Sequence, residues 1–417
     1  MPLVEPVNAL RRRYATPQAV WVCGLLFCFF LGSIFLSDNI RLHRNVYYIL
    51  VLVPFAVLVR GDFFQALIRS PVFLGCLAFL GYLWLSLFWS SQDSNYVFYN
   101  EARTLVLMLG FLAVTAFYAV HLEGFTKLLG WVLAVTAAAA SMISIYVFYV
   151  DRHIPLMGGL ESRVVDIGLA GHPIDSAGLY GFVAIFLVFA LVLPRRKHPL
   201  ATWAAVASLL AILAFVALTQ TRGALLGIGM VLGFGLMLHV DRRLWLVLGV
   251  LFATVLGMVA VSLHHPEGMF GFERRLGVRG EIWTLALERA WERPWFGFGL
   301  NEHHQLFSAD GERHGVAHNL YLENLHFGGI FGTALLLGLA GLALRGAWRD
   351  YRRTGSFLMP AIISYPLIFG ISAGYLTLSK ISPMWIQFWL PIGLIIATEI
   401  RNGQTWKDTC HGAGHGG

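Results

Sequence analysis

The amino-acid sequence predicts an all-α, polytopic membrane protein with about 12 transmembrane helices. Of its 417 residues, 57% are hydrophobic and only 13% are charged, whereas a soluble domain carries about 25% charged residues. Apolar runs recur at the length of about 20 residues that a hydrocarbon core requires. This composition excludes intrinsic disorder, which needs low hydrophobicity and many charges, and it argues against an ordinary soluble enzyme.

The candidate spans follow one another from the N-terminus without a soluble domain boundary or an internal repeat. The apolar runs cover residues 19–37, 46–59, 71–89, 104–121, 127–150, 177–193, 200–219, 223–240, 244–263, 325–344, 357–376 and 383–399. The second run is short, so we expect its helix to extend into residues 42–45 or to tilt. The pattern predicts one integral membrane domain, 1–417.

The distribution of Lys and Arg predicts the orientation of the chain. Segments on the same side as the N-terminus hold 17 of these residues, the short loops on the other side hold seven, and one long outer segment adds six. The short loops decide the orientation. Because Lys and Arg concentrate in cytoplasmic loops, both termini are predicted to be cytoplasmic. The net charge of +7 therefore indicates membrane orientation rather than nucleic-acid binding.

The four cysteines do not suggest a disulfide framework. Cys23, Cys28 and Cys76 fall inside predicted spans, and Cys410 falls in the predicted cytoplasmic tail. None of them lies in an outer loop, where an oxidising compartment would favour pairing.

One large outer segment, 264–324, separates the ninth and tenth predicted spans and holds six of the fifteen histidines. Most of these histidines are expected to be ordinary polar loop residues. Within the segment, Gly280 to Arg293 predicts an amphipathic helix. Its expected apolar side consists of Ile282, Trp283, Ala286, Leu287, Ala290 and Trp291. Arg279 stands just before this predicted helix. There it would either help to form an anion site with free N–H groups or remain a solvated loop residue.

Arg222 is the second candidate for anion binding. It lies in Thr219-Gln220-Thr221-Arg222-Gly223, between two long apolar runs with almost no loop. A guanidinium at that depth is costly and is usually kept for a partner, a cavity or a ligand, although it can also snorkel to the interface. The shortness of the loop favours a functional role.

His318 and Asn319 precede the tenth predicted span. Gly328, Gly329 and Gly332 follow about three turns later. Small residues four apart allow a neighbouring helix to approach closely, which would fix the helix that carries His318. The spacing places His318 at the outer water boundary.

These residues resemble a known family. His318-Asn319, nine residues, then Gly329-x-x-Gly332-Thr333 is similar to the signature of the O-antigen ligase and polymerase superfamily. Thr221-Arg222-Gly223-Ala224 resembles the family's Arg-Gly step at the outer end of a span. The stretch from Arg279 to Trp283, followed by Pro294-x-x-Gly297-x-Gly299, resembles the start of the family's loop. The resemblance covers about 215–345, and the first 200 residues match only in hydropathy.

The resemblance implies glycosyl transfer at the periplasmic face of the bacterial inner membrane. The donor would be a glycan on undecaprenyl diphosphate, and the acceptor of a ligase would be lipid A–core. By resemblance, His318 would be the general base, and Arg222 and Arg279 would hold the diphosphate. Asn319, Gly329 and Gly332 would be motif and packing residues. Membrane lipids are the other expected partners.

The chemistry of the residues agrees with this reading. Two guanidinium groups suit the charge that develops on a diphosphate leaving group, and a neutral imidazole suits deprotonation of a sugar hydroxyl. The loop around Asp38 lacks an Asp-x-Asp pair, and Asp310-Gly311-Glu312 is its nearest imitation. We therefore expect no cofactor, a metal-independent reaction and a single displacement with inversion.

Other functions share parts of this pattern. A polymerase typically has a second large Arg-rich outer loop, whereas 151–176, with Arg152 and Arg163, is moderate, so a ligase is favoured. A transferase that glycosylates protein hydroxyls remains an alternative. A transporter or flippase usually carries charges near the midplane, and these spans are nearly free of them. Arg103 and Lys380, at outer span ends, are expected to be interfacial anchors rather than ligands for acidic groups.

Overall fold

The protein is described by a computed structural model that covers most of the chain. The described residues are 16–91, 95–155, 162–194, 199–238, 272–301, 306–307, 313–374 and 377–412, with a few positions between 245 and 253. Within these ranges the regular structure is helical, apart from the antiparallel pair Leu306–Phe307 and Arg313–His314. The predicted all-α class is confirmed.

Within the described residues, thirteen helices are labelled in chain order. They are α1 Pro17–Ser33, α2 Ile40–Leu58, α3 Gly61–Leu67, α4 Pro71–Trp89, α5 Asn95–His121, α6 Phe125–Asp151, α7 Pro173–Val192, α8 Pro199–Leu218, α9 Arg222–Leu238, α10 Phe272–Trp291, α11 Leu320–Thr354, α12 Leu358–Phe369 and α13 Leu390–Gly412. A π-helical turn, Trp385–Trp389, leads directly into α13.

Within the described part of the chain, seven helices are long and apolar enough to cross a membrane, by length and composition. These are α2, α4, α5, α6, α7, α8 and α11, and α1, α9 and α12 are shorter apolar helices. Helices occupy every predicted run except 244–263, which lies almost wholly outside the described residues. The count of about 12 spans remains a prediction.

Two helix boundaries decide where the outer loops lie. Helix α2 begins at Ile40, which confirms the expected extension of the short second run. Helix α12 ends at Phe369, although the apolar run predicts a span up to residue 376. The reason is that the Gly370 carbonyl accepts the N–H of Leu320, 2.8 Å away. The backbone leaves the helix there to meet the start of α11.

Helix α7 forms the centre of the core. Nearly all of its side chains are buried, and it packs against α8, α9 and α12. A second layer consists of α11 packed on α4 and α12, with α13 packed along α5.

Two contacts join parts of the chain that the charge pattern assigns to the same side. On the side predicted to be cytoplasmic, the Ser70 hydroxyl donates to the Glu399 carboxylate over 2.5 Å, and Arg345 and Arg349 face that carboxylate. On the other side, the N–H of Leu169 donates to the Ile34 carbonyl over 2.9 Å. Which of the two sides faces the cytoplasm stays a prediction.

Candidate functional site

Arg222 stands at the start of α9, directly after a buried three-residue turn. Thr219, Gln220 and Thr221 are each at most 5% exposed, so the chain passes from α8 to α9 without a wet loop. Gln220 adopts the left-handed conformation, with φ of 53°, which non-glycine residues rarely do. Arg222 itself is half-buried.

Residues 162–164, which precede α7, lie alongside this turn. The Arg163 guanidinium donates from Nε to the Thr219 carbonyl (2.9 Å) and from Nη2 to the Thr221 hydroxyl (3.0 Å). The Gln220 amide donates to the Ser162 hydroxyl over 3.0 Å. The turn before Arg222 is therefore held by side chains from a distant part of the sequence.

His318 lies in a comparable turn at the start of α11. Its φ is 50°, and the next residue, Asn319, is the N-cap. The Asn319 side chain accepts the N–H groups of Tyr321 (2.9 Å) and Leu322 (3.2 Å). The buried Glu323 carboxylate reaches back to accept the N–H of Ala317. These bonds satisfy N–H groups that a helix start leaves open, and they fix the backbone on both sides of His318.

The segment that follows α12 joins the two turns. A side chain on Gly223 would collide with the Ser372 hydroxyl, so α9 begins in direct contact with this segment. A Cβ on Gly374 would lie 2.9 Å from the Cα of His318. The starts of α9 and α11 therefore pack against one stretch of five residues, 370–374. We call this stretch the bridging segment.

Helix α10 packs against the turn that carries His318. Ile282, Ala286 and Ala317 form a small buried cluster, and the Trp283 indole N–H donates to the Ala317 carbonyl over 3.0 Å. Arg279 is half-buried and lies four residues before Trp283, one helical turn or about 6 Å along the axis. Arg279 is thereby carried by the helix that contacts the residue next to His318.

One expectation for α10 is corrected. The helix begins at Phe272, so Arg279 lies inside it and not before its start. The argument that Arg279 uses free N–H groups of that helix N-terminus is therefore wrong. The predicted apolar residues divide into a buried set, Ile282, Ala286 and Ala290, and an exposed pair, Leu287 (42%) and Trp291 (66%). An exposed Trp suits the membrane interface.

Gly329 breaks α11, with φ of 60° and ψ of −161°. The stretch 294–299, which follows α10, lies across this break. The N–H of Ile330 donates to the Pro294 carbonyl (2.7 Å), and the N–H of Phe298 donates to the His326 carbonyl (2.8 Å). A Cβ on Gly297 would lie 2.6 Å from the Gly329 N. The two glycine motifs thus meet backbone to backbone, and we call this contact the glycine crossing.

Gly328 and Gly332 face α4, as expected for small residues at a helix contact. The Tyr82 ring would lie 3.2 Å from a Cβ on Gly328 and 3.0 Å from one on Gly332. The Tyr82 hydroxyl also donates to the Gly328 carbonyl over 2.7 Å. This bond satisfies a carbonyl next to the break in α11.

Arg103 and Lys380 both lie near a protein carboxylate. The charges of both act on Glu101, which is also hydrogen-bonded by Asn301. Arg103 donates to the Asn100 side chain over 2.5 Å. Their surroundings agree with anchoring at the membrane boundary.

Several residues that shape the site were not singled out from the sequence. The sequence marks Arg163 only as one of two arginines in the outer loop 151–176, and it does not mark Glu323 or the bridging segment. Asn319 fits a helix N-cap, but Glu323 lies four residues later and not at the capping-box spacing of three. Nothing local marks Arg163 as a partner of Thr219.

A further unpredicted group is Asp166, which is only 6% exposed. The Tyr180 hydroxyl donates to its carboxylate over 2.5 Å. Burial raises the pKa of the Asp166 carboxyl to about 6. Asp166 lies in the same stretch as Arg163, between α6 and α7.

The remaining predicted features fall outside the described residues or concern metals. Asp310-Gly311-Glu312 and the histidines at 264, 265, 303 and 304 lie outside them. Among the residues that are described, no three His, Cys, Asp or Glu side chains gather as a metal-ligand set.

Comparison with known proteins agrees with the motifs. Residues 207–337 match the family model described as O-antigen ligase. The chain is also 26% identical, over 397 residues, to a protein of Pseudomonas aeruginosa named O-antigen ligase, and the match covers 94% of each chain. The resemblance to this family is confirmed, and the match to the family model contains the turn before Arg222, the glycine crossing and His318.

Proposed function

We propose, from the confirmed resemblance to the O-antigen ligase family, that this protein transfers O-antigen glycan from undecaprenyl diphosphate to lipid A–core. The reaction would take place at the periplasmic face of the bacterial inner membrane, with both chain termini in the cytoplasm. The donor, the acceptor and the surrounding lipids are the partners. The helices long enough to span a membrane and the Lys and Arg distribution support this location.

The observation that carries the proposal is the shared contact of two helix starts with the bridging segment. Gly223 packs on Ser372, and Gly374 packs on His318, so residues nearly a hundred positions apart in sequence lie along five residues of backbone. The packing of α10 on Ala317 brings the helix of Arg279 to the same turn. This arrangement supports one site that contains a base and two cations.

In the proposed reaction, the acceptor hydroxyl oxygen forms a bond to the anomeric carbon as the bond from that carbon to the diphosphate oxygen breaks. His318 takes the hydroxyl proton, and the electron pair of the broken bond leaves with undecaprenyl diphosphate. Arg222 and Arg279 are always protonated and would stabilise the growing negative charge through charge-assisted hydrogen bonds.

The reaction is proposed to need no metal and to invert the anomeric configuration. The acceptor hydroxyl and the one base that the proposal assigns to His318 suffice for a direct displacement, and two guanidinium groups would take the place of a divalent cation at the diphosphate. Trapping a glycosylated protein intermediate with a slow donor would disprove the single displacement. If no metal takes part, adding a chelator should leave the rate of glycan transfer unchanged.

The test is transfer by purified protein from carrier-linked glycan to lipid A–core. His318→Ala is expected to lower the rate about 10²–10⁴-fold, the contribution of a general base, and Arg222→Ala and Arg279→Ala are expected to weaken donor use. Arg152→Ala removes an exposed charge on the outer side and is the matched control. Full activity of the His318→Ala protein would overturn the proposed chemistry.

The same assay separates the alternatives by their acceptors. Transfer to a second carrier-linked glycan would indicate a polymerase, and transfer to a protein hydroxyl would indicate a protein glycosyltransferase. Movement of the donor across vesicles without any transfer would indicate a flippase. The P. aeruginosa relative named O-antigen ligase favours lipid A–core as the acceptor.

A further inference from the structure

We infer that Arg163 is a positioning residue for the donor, because it holds the left-handed turn that sets Arg222 at the start of α9. The inference rests on the proposed function, in which Arg222 binds the donor diphosphate. Arg163 would act through the turn rather than touch the substrate.

The turn before Arg222 needs support from outside. Only Thr219, Gln220 and Thr221 separate α8 from α9, and Gln220 has a φ of 53°. A left-handed non-glycine residue is strained and persists only where its surroundings hold it. A short connection without that support would relax and rotate the first turn of α9, which carries Arg222.

The support comes from three consecutive residues, 162–164. The N–H of Val164 donates to the Leu218 carbonyl over 3.2 Å, and the Ser162 hydroxyl accepts from Gln220. Between them, Arg163 donates to the Thr219 carbonyl and to the Thr221 hydroxyl. The four residues from Leu218 to Thr221 are thus each bonded to the 162–164 stretch, with Arg163 bonding on both sides of Gln220.

The planar guanidinium is what makes this contact specific. Nε and Nη2 reach two different acceptors, the Thr219 carbonyl and the Thr221 hydroxyl, in a fixed fork that a lysine ammonium does not reproduce. Both acceptors are buried, and the Thr221 hydroxyl also lies 3.3 Å from the Thr219 carbonyl and 3.4 Å from the Pro173 carbonyl. Loss of the guanidinium would remove the shorter hydrogen bond from each acceptor, in an apolar setting. Arg163 therefore differs from Arg152, whose side chain is exposed.

The expected kinetic signature follows from the role of the turn. Displacing Arg222 weakens the grip on the diphosphate but leaves the lipid A–core acceptor and the imidazole of His318 in place. Arg163→Ala should raise the KM for carrier-linked glycan about tenfold or more, which is the loss of one charge-assisted bond. The KM for lipid A–core should stay within about twofold, since the acceptor and the base are untouched. The kcat should also fall, but by less than in Arg222→Ala, because a displaced Arg222 stabilises less of the charge that develops on the leaving diphosphate.

The experiment measures both KM values and kcat in detergent for Arg163→Ala, Arg163→Lys and the control Arg152→Ala. Arg163→Lys is expected to recover only part of the donor KM, because a point charge cannot span both acceptors. Adding Gln220→Gly to Arg163→Ala should also recover part of it, because glycine adopts a positive φ without strain. If Arg163→Ala does not fold, Thr221→Val keeps the shape of the side chain and removes one acceptor, and its donor KM should rise about threefold.

The outcomes separate this inference from the proposed function. A wild-type donor KM for Arg163→Ala, or an equal rise in both KM values, would overturn the positioning role. If Arg222→Ala loses donor binding while Arg163→Ala does not, only the present inference falls. If Arg222→Ala keeps the wild-type donor KM, the proposed role of Arg222 fails, and with it the claim that Arg163 acts through Arg222.

Discussion

Two non-glycine residues with positive φ stand beside the proposed chemistry, and each is held by a charged side chain. Gln220 precedes Arg222 by two residues and is flanked by bonds to Arg163. His318 follows Ala317, whose N–H is accepted by Glu323. Strained backbone of this kind is often kept where it orients functional groups. In the proposed reaction the cation, Arg222, and the base, His318, therefore each depend on a neighbouring side chain that does not itself take part in the chemistry.

Substitutions at Glu323 should distinguish the effect of its hydrogen bond to the backbone from the effect of its negative charge. Glu323→Ala removes the acceptor for the Ala317 N–H and should lower kcat about 10–100-fold, because a small displacement of a catalytic group carries a cost of this order. Glu323→Gln retains a carbonyl oxygen at the same reach and should keep most of the activity. Steady-state rates of glycan transfer measure both. Equal damage by the two substitutions would show that the negative charge matters.

Asp166 should make the stability of the folded protein depend on pH. Its pKa is raised to about 6 by burial, so the folded protein holds this proton more tightly than the unfolded chain does. The contribution of Asp166 to stability is then greatest below about pH 4 and declines as the pH rises to about 6, where the folded carboxyl ionises. Asp166→Asn should lack that decline and still accept the Tyr180 hydroxyl. Melting temperatures at about pH 4 and pH 7 measure the difference; identical pH dependence in both proteins would contradict the assignment.

The sequence points to individual site residues only where it carries a depth or spacing signal. Arg222 stands out because a guanidinium between two apolar runs is unusual, and His318 because a glycine pattern follows it; the roles of both stay predictions. Arg163 and Glu323 could not, since their roles are hydrogen bonds to backbone groups whose positions depend on the folded chain. The roles of Arg163 and Glu323 can be assigned only from the folded structure.

Helices α10 and α11 are fastened together by the glycine crossing. The stretch 294–299 bonds to both sides of the break at Gly329, and the Phe298 ring stacks on His326 at 4.8 Å. The Arg289 guanidinium lies 4.4 Å from the centre of the same ring. As a result, the end of α10 and the outer part of α11 form one unit, which carries Arg279 and His318.

Gly329→Ala should disrupt this unit. The added methyl group would meet the Trp295 carbonyl, and the residue would be strained at φ of 60°. We expect a loss of about 2–4 kcal/mol in the free energy of unfolding, because both strain and a backbone clash contribute. Gly338→Ala is the matched control on the same helix, since a Cβ there meets nothing within 4 Å.

Unfolding in detergent, followed by circular dichroism, compares the two variants. The control should unfold at or slightly above the wild-type temperature, because alanine favours helix. A Gly329→Ala protein as stable as the control would show that the crossing contributes little.

The helical pattern alone did not locate the start of α10. The amphipathic repeat is clear only from residue 280, and the preceding Arg274 and Arg275 read as loop, but the helix begins at Phe272. The division of the apolar face into buried and exposed residues is likewise not given by the pattern. Periodicity defines an apolar stripe but does not say which part of it meets protein and which part meets lipid or water.

The predicted orientation of the membrane domain can be tested directly by labelling introduced cysteines. Arg152→Cys and Glu123→Cys place thiols at exposed positions on opposite sides of the predicted topology, while Cys28 and Cys76 are buried. A membrane-impermeant thiol reagent should label the first variant in cells whose outer membrane alone is opened, and the second only after the inner membrane is opened. The reverse pattern would invert the proposed orientation and place the site in the cytoplasm.

Hydropathy predicted most of the architecture because lipid imposes one rule on every span: about 20 apolar residues with satisfied backbone. The rule is weaker for a segment that is surrounded by protein instead of lipid. The run 357–376 is apolar throughout, but its last third becomes the bridging segment, since Gly370 bonds to Leu320 instead of continuing the helix. Contacts of this kind, between distant glycines and carbonyls, leave no trace in a hydropathy profile.

The break at Gly329 also bears on how the proposed site should respond to the thickness of the bilayer. A membrane that thickens or thins changes the tilt of its helices. Because the stretch 294–299 is hydrogen-bonded on both sides of Gly329, a change in the tilt of α11 should carry the end of α10 with it. The distance between Arg279 and His318 should then be kept, and we expect similar transfer rates in vesicles of short-chain and long-chain lipid.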